Sequence, residues 1–182
     1  MSEQKSVLIT GGAGYLGSIM TPELLAAGYR VTVLDNFMFK QNSLATSCAS
    51  ANFEVVNGDA RNETLMRDLT TKADIVIPLA ALVGAPICAK DPIGATSTNL
   101  DAQLMLLDML SKDQRVLMPV TNSGYGIGEK GQFCTEETPL RPISLYGQHK
   151  VEVEQRALER ENTISFRLAT VFGMAPRMRI DL

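Results

Sequence analysis

Apolar positions occur in short runs that alternate along the chain with longer segments of helical spacing. The short runs are rich in β-branched residues and nearly continuous in apolar character, which is typical of strands covered on both faces. The predicted strands span residues 6–10, 29–35, 53–59, 73–80, 114–121 and 163–169. The predicted helices span residues 16–27, 62–69, 91–110 and 143–161. Because strands and helices alternate, we predict an α/β fold with a doubly wound parallel sheet of about six strands.

One face of the predicted helix over residues 143–161 carries a tyrosine and a lysine four residues apart. Tyr146 and Lys150 share this face with Val153 and Ala157, which follow at helical spacing. A lysine that faces the core must be paired, extend its amino group to the surface, or serve a function. The spacing alone leaves two interpretations open: a packed tyrosine beside a lysine that reaches solvent, or a pair placed for chemistry.

Another face of the same helix is charged. Glu152 and Arg156 are four residues apart and predict an ion pair, with Arg160 one turn further along. His149, the only histidine, falls near this face, and we expect it to be exposed to solvent. Pro142 suits the first turn of the helix, where a missing N–H costs little.

The composition is that of one globular domain, and we treat residues 1–182 as a single unit. The formal net charge of −3 and the pI of about 5.2 argue against a nucleic-acid partner. No apolar run approaches the roughly 18 residues of a membrane span, so we expect no membrane partner. The three cysteines, Cys48, Cys88 and Cys134, lack the spacing of metal ligands. We therefore expect reduced thiols, no metal site and a cytoplasmic location.

A glycine-rich stretch, GGAGYLG, follows the first predicted strand and precedes the first predicted helix. Gly11, Gly14 and Gly17 permit a tight turn in which backbone N–H groups and the helix N-terminus approach a pyrophosphate. The second strand ends in Asp35, which can accept hydrogen bonds from both ribose hydroxyls of NAD and would repel the 2′-phosphate of NADP. The alternative is an ordinary glycine turn followed by a solvated aspartate.

The stretch NGDARN ends the third predicted strand. Its aspartate, Asp59, has two interpretations that the sequence leaves open. It can meet the adenine edge of a dinucleotide, or it can cap the helix that follows.

GGAGYLG, Asp35–Asn36, NGDARN and the Tyr146-x-x-x-Lys150 pair occur in one chain in this order. Together they resemble the extended short-chain dehydrogenase/reductase family, the NAD-dependent epimerases and dehydratases of nucleotide sugars. The resemblance covers nearly the whole chain and implies a Rossmann-type domain that binds NAD. The cofactor contacts that it implies are Gly11, Gly14, Tyr15, Leu16, Gly17, Asp35, Asn36, Asp59, Ala60, Leu79, Ala80, Ala81, Asn99, Tyr146 and Lys150. For Asn99, a satisfied buried amide is the alternative.

The resemblance also implies catalytic and substrate-binding residues. PVTNSGYG is similar to the family's strand-five motif, which maps the active-site hydroxyl onto Thr121 beside Tyr146 and Lys150. Lys150 would lower the pKa of Tyr146 and contact the nicotinamide ribose. The implied reaction is proton removal from a sugar hydroxyl by Tyr146, with hydride transfer to NAD from the adjacent carbon, most often C4. The resemblance implies that Thr170 borders the sugar site. Arg177 and Arg179 can bind a nucleotide diphosphate, because a guanidinium suits phosphate, or they can equally be solvated charges.

Two features depart from the family's pattern. Members that eliminate water carry an acidic pair after the active-site hydroxyl, where this sequence has Asn122 and Ser123, and neither is a good general acid or base. We therefore expect an epimerase or dehydrogenase rather than a 4,6-dehydratase. The chain also stops just after the sixth strand, so we expect a fragment that lacks the C-terminal substrate domain of an enzyme that is a homodimer at full length. Two other functions stay open: a redox-inactive NAD-sensing or scaffold module, and a reductase of a non-sugar ketone.

Overall fold

The structure is a computed structural model that describes residues 4–128, 131 and 133–178. The strands are β1 (Ser6–Thr10), β2 (Arg30–Asp35), β3 (Phe53–Asn57), β4 (Ile75–Pro78), β5 (Arg115–Thr121) and β6 (Thr163–Leu168). The α-helices are α1 (Gly17–Ala26), α2 (Glu63–Thr70), α3 (Ala85–Lys90), α4 (Pro92–Thr96), α5 (Ala102–Met109) and α6 (Leu145–Leu158). A π-helical segment, Ser97–Asp101, joins α4 to α5, and 3-10 turns lie at Ala45–Ser47 and Asn122–Tyr125.

The strands form one parallel sheet in the order β3-β2-β1-β4-β5-β6. The chain runs outward from β1 in one direction through β2 and β3, and in the other through β4, β5 and β6. Such a reversal leaves a crevice at the carboxyl ends of the central strands, where ligands of open α/β sheets bind. The predicted Rossmann-type, doubly wound sheet of six strands is therefore confirmed.

Helices cover both faces of the sheet, and each face has its own apolar core. Leu8, Val76 and Met118 point toward α2, α5 and α6, whereas Ile9 and Val33 point toward α1. Neighbouring residues of one strand thus enter opposite cores, as the two-residue period of a strand requires. In β1, β2 and β4 this burial on both faces explains why the strands are nearly continuous in apolar residues. The edge strands β3 and β6 instead keep exposed apolar residues such as Val55 and Phe166.

The single helix predicted over residues 91–110 is divided in the structure. Asp91 begins α4 because its side chain accepts a hydrogen bond from the Gly94 N–H at 2.9 Å. The π-helical segment then interrupts the helix before α5. The separate helix α3 was not predicted; Pro86 lies in its first turn, where no N–H is needed.

The last helix begins later than predicted and packs differently on one face. Ser144 caps α6 through the Gly147 N–H, so Pro142 lies before the helix rather than in its first turn. The prediction of an exposed His149 was wrong: the side chain is 4% exposed because the helical segment that contains Thr96 packs against it. Arg156 pairs with Asp108 and Glu159, and the predicted pair with Glu152 is not the one recorded.

Candidate active site

A cavity of about 970 Å³ runs along the carboxyl ends of the strands. β4 and β5 pair only near their starts, at Ile75–Arg115 and Val76–Val116, so the later parts of these strands separate and open the crevice. The predicted site residues that line it are Gly11, Gly14, Tyr15, Leu16, Gly17, Asp35, Asn36, Asp59, Ala60, Leu79, Ala80, Ala81, Thr121, Tyr146, Lys150, Thr170 and Arg177. Asn99 does not line the cavity, and Arg179 lies outside the described residues.

The glycine loop forms one side of the cavity at the end of β1. Gly11 has φ of 70°, and a Cβ there would lie 2.6 Å from the backbone nitrogen of Ala80. At Gly17 a Cβ would overlap the backbone of Gly12, so this glycine lets α1 pack closely on the loop. At Gly14 a Cβ would meet only the Gly11 carbonyl, at 3.0 Å. The loop therefore leaves room for a ligand against its backbone and the N-terminus of α1.

Asp35 connects the glycine loop to the segment after β2. One carboxylate oxygen accepts from the Ala13 N–H at 3.0 Å, and the other accepts from the Phe37 N–H at 2.8 Å. The residue is 9% exposed and lines the cavity. Each oxygen can accept a second hydrogen bond, so the carboxylate is held in place and can still receive ribose hydroxyls.

Asp59 lies beside Asp35, at the end of β3. It does not cap α2, because Asn62 does so by accepting from the Leu65 N–H at 3.1 Å. The hydrogen bonds from Arg61 hold the pKa of Asp59 below its ordinary value. The capping interpretation of Asp59 is therefore wrong, and its contact with an adenine edge stays a prediction.

Two buried amides hold the loop after β4. The Asn99 side chain, 0% exposed, accepts from the Leu82 N–H and donates to the Leu82 carbonyl, both at 2.8 Å. Gln103 donates to the Ala80 carbonyl at 2.9 Å. Both amides come from the helical segment that contains the π turn. Asn99 is thus the satisfied buried amide considered above. It does not line the cavity, but it holds the loop that does.

The opposite end of the cavity holds the tyrosine, the lysine and the threonine predicted to be catalytic. Lys150 is 4% exposed, and its Nζ donates to the Pro119 carbonyl at 3.3 Å. Burial lowers the pKa of Lys150 to about 8, and the nearby Cys88 opposes this shift. Tyr146 is half-buried on the same face of α6, and both residues line the cavity. The alternative interpretation required a lysine that reaches bulk solvent. Lys150 is buried instead.

Thr121 ends β5 and begins the 3-10 turn after it. Its hydroxyl accepts from the Ser123 N–H and donates to the Ser123 hydroxyl, both at 3.2 Å. A hydroxyl held at a strand end in this way is oriented before a ligand arrives. In the sequence, Ser123 was noted only because it stands where other family members have an acidic residue. Its contact with Thr121 was not predicted.

The segment after β6 crosses the cavity near the glycine loop. Tyr15 donates from its hydroxyl to the Gly173 carbonyl at 2.7 Å, and the Arg177 guanidinium lies 4.3 Å from the centre of the Phe39 ring. Thr170 and Arg177 therefore line the same cavity as the glycine loop. Phe39 was not singled out in the sequence, because the turn that follows Asp35 carries no recognisable spacing.

An ion pair between α6 and β6 was also missed. Glu154, 3% exposed, accepts from Arg167 on β6, and Arg167 in turn donates to the Tyr125 hydroxyl and the Glu136 carbonyl. The pair connects α6 to β6 and to the turn after Thr121. Its signal was in the sequence: Glu154 follows Lys150 by four residues and so shares the inward face.

Comparison with known proteins agrees with this geometry. Residues 7–180 match the model of the NAD dependent epimerase/dehydratase family. The chain belongs to this family. The family is NAD-dependent, so NAD is its cofactor, as predicted. The glycine loop fits NAD because Gly11, Gly14 and Gly17 line the cavity at the N-terminus of α1, and Asp35 fits an unphosphorylated ribose.

Relatives that the chain resembles are named for reactions of UDP-sugars. UDP-glucuronic acid decarboxylase 1 of Xenopus tropicalis is 28% identical over 98% of this chain and 44% of its own length. The UDP-glucose 4-epimerase of Cyamopsis tetragonoloba is 30% identical over 86% of this chain and 47% of its own length. The chain therefore spans about half the length of the curated relatives that it matches.

A solved family member shows the same fold. The UDP-glucuronic acid 4-epimerase of Bacillus cereus, crystallised with UDP-glucuronic acid and NAD, has a TM-score of 0.82 at 26% identity. The match covers 95% of this chain and 60% of that one.

In the part of the present chain that the structure describes, no helix is long and apolar enough to cross a membrane. The same residues contain no group of three or more His, Cys, Asp and Glu side chains that could hold a metal ion.

Proposed function

We propose that the protein oxidises a carbon of a nucleotide-diphospho-sugar, most often C4, either as a net dehydrogenation or as a step in epimerisation. One observation carries this proposal: Tyr146, Lys150 and Thr121 line one end of a cavity whose other part contains the glycine loop and Asp35. A dinucleotide that binds along this cavity brings its nicotinamide beside Tyr146. NAD, when bound, supplies the hydride acceptor.

The residues of this chain would handle the proton and the orientation of the substrate. Tyr146 takes the proton from the sugar hydroxyl, and the positive charge of Lys150 favours the phenolate form that accepts it. Thr121, held by Ser123, hydrogen-bonds the same sugar hydroxyl. Lys150 is anchored by the Pro119 carbonyl, so it reaches the tyrosine and the nicotinamide ribose from a fixed position.

The residues after Thr121 support epimerisation or dehydrogenation over elimination of water. Asn122 and Ser123 both line the cavity, and neither side chain is a good general acid or base at neutral pH. Ser123 is also engaged with Thr121. We propose on these grounds that the enzyme is not a 4,6-dehydratase.

The substrate class rests on the family and on a cation at the cavity wall. The relatives described above act on UDP-sugars. In the described residues, Arg177 lines the cavity and stacks on an aromatic ring without an ion-pair partner that the structure records. A guanidinium in this position can bind the diphosphate of a nucleotide sugar. We therefore propose Thr170 and Arg177 as substrate contacts from this chain.

The test is product analysis on the full-length protein with a panel of nucleotide sugars and NAD. We expect C4-epimerised sugar or stoichiometric NADH, detected by NMR and by absorbance, and no loss of water in the mass spectrum. The Tyr146→Phe variant is the matched control, because it removes the proton acceptor and keeps the shape. A product that has lost water would contradict the proposed reaction, and turnover at the wild-type rate in Tyr146→Phe would contradict the proposed base.

A further inference from the structure

Arg61 spans the end of the cavity that lies beyond Asp35. Its guanidinium donates to both oxygens of Asp59, at 2.9 and 2.6 Å, and reaches across to the Ser97 hydroxyl at 3.3 Å. The Arg61 backbone N–H donates to the same Asp59 carboxylate at 2.9 Å. Asp59 and Arg61 both line the cavity. A side chain from the β3 end of the sheet is thus tied to the helical segment on the opposite wall.

These contacts fix the carboxylate of Asp59 in one orientation. A guanidinium that binds both oxygens defines the plane of a carboxylate and keeps it ionised. Asn36, the neighbour of Asp35, also helps to lower the pKa of Asp59. An ionised carboxylate only accepts hydrogen bonds, so whatever meets it inside the cavity must donate.

The Arg61–Asp59 pair does not serve the stability of the fold in any evident way. The two side chains are 48% and 34% exposed, and ion pairs with this exposure contribute little to folding. The helix that follows has its own cap in Asn62. Both residues line the cavity, so part of their exposed surface faces it. The pair therefore meets whatever fills this end of the cavity.

We propose that Arg61 is a positioning residue that makes the site selective for a 6-aminopurine by holding Asp59 as a fixed acceptor. The exocyclic amine of adenine donates a hydrogen bond, which suits this carboxylate. A 6-oxopurine places a carbonyl oxygen at the same position and so sets an acceptor against an acceptor, which leaves both unpaired. The proposal concerns the NAD half of the site and does not depend on the identity of the sugar.

Calorimetric titration of the chain with NAD and with nicotinamide hypoxanthine dinucleotide tests this. We expect the wild type to bind NAD about tenfold or more tightly than the hypoxanthine analogue, because one unpaired buried polar group has a cost of that order. Arg61→Met should reduce the preference to about threefold or less, since Asp59 loses its fixed plane. Arg67→Met is the matched control: Arg67 lies on α2, pairs with Glu63 outside the cavity, and should leave the preference unchanged.

A double substitution separates positioning from direct contact. If Arg61 acts through Asp59, then Asp59→Asn alone removes the preference and Asp59→Asn/Arg61→Met has the same ratio of affinities. A wild-type ratio in Arg61→Met would overturn the proposal, as would a further fall of the ratio in the double variant. Loss of cooperative melting in Arg61→Met would also overturn it, because the pair would then serve folding. Equal affinity of the wild type for both dinucleotides would show that no selectivity exists to explain.

Discussion

Lys150 should destabilise the folded protein at neutral pH. The residue is 4% exposed, and burial lowers the pKa of its amino group from 10.5 to about 8. Because the folded state binds the proton less tightly than the unfolded chain does, stability is reduced below pH 8 and recovers as the pH rises from about 8 toward 10.5. Each unit between the two pKa values corresponds to about 1.36 kcal/mol, so the full penalty is on the order of 3 kcal/mol.

The Lys150→Met variant removes this titration and keeps most of the side-chain volume. We expect the variant to be more stable than the wild type at pH 7, although it leaves the Pro119 carbonyl without its donor. This advantage should shrink by about 2 to 3 kcal/mol between pH 7 and pH 10, because the wild-type lysine becomes neutral over that interval. The measurement is the free energy of unfolding in urea for both proteins across this range.

Other groups that titrate between pH 7 and pH 10 are common to both proteins, so their effects largely cancel in the difference. Cys88 is the exception to watch, since burial raises the pKa of its thiol and it acts on the charge of Lys150. Repeating the comparison in a Cys88→Ala background isolates the lysine. Lys112→Met, at an exposed position before β5, should follow the wild type. A constant difference between wild type and Lys150→Met across the range would refute the reasoning.

Three further predictions concern cofactor choice, chemistry and the ion pair between α6 and β6. Asp35 should make NAD bind about tenfold or more tightly than NADP by calorimetry, through repulsion of the 2′-phosphate, and equal affinities would contradict its assignment. Tyr146→Phe in the full-length protein should keep NAD affinity within about threefold and lose a factor on the order of 10² to 10⁴ in turnover. Arg167→Met should lower the free energy of unfolding by about 3 kcal/mol, because it leaves Glu154 charged and buried. Replacing both residues by methionine should recover most of this loss. If the double variant recovers nothing, the loss comes from packing instead.

The elements that the sequence predicted well are those set by local patterns. The six strands followed from short apolar runs, and the glycine loop and Asp35 followed from their order along the chain. The environment of His149 could not be predicted, because it depends on which helix packs against that face of α6. The π-helical segment could not be predicted either, because no spacing in the sequence marks it. Its residue Asn99 makes hydrogen bonds to Leu82, which are tertiary contacts.

The π-helical segment couples two distant parts of the cavity. Ser97, at its start, receives Arg61, while Asn99 holds Leu82 and Gln103, just past its end, holds Ala80. Removing one residue from this turn would rotate everything after it by about 100° and carry Gln103 away from the loop. The π turn therefore sets the position of Ser97, which contacts Arg61, relative to Asn99 and Gln103, which hold the loop after β4. A change in this helical segment would therefore affect both ends of a bound dinucleotide at once.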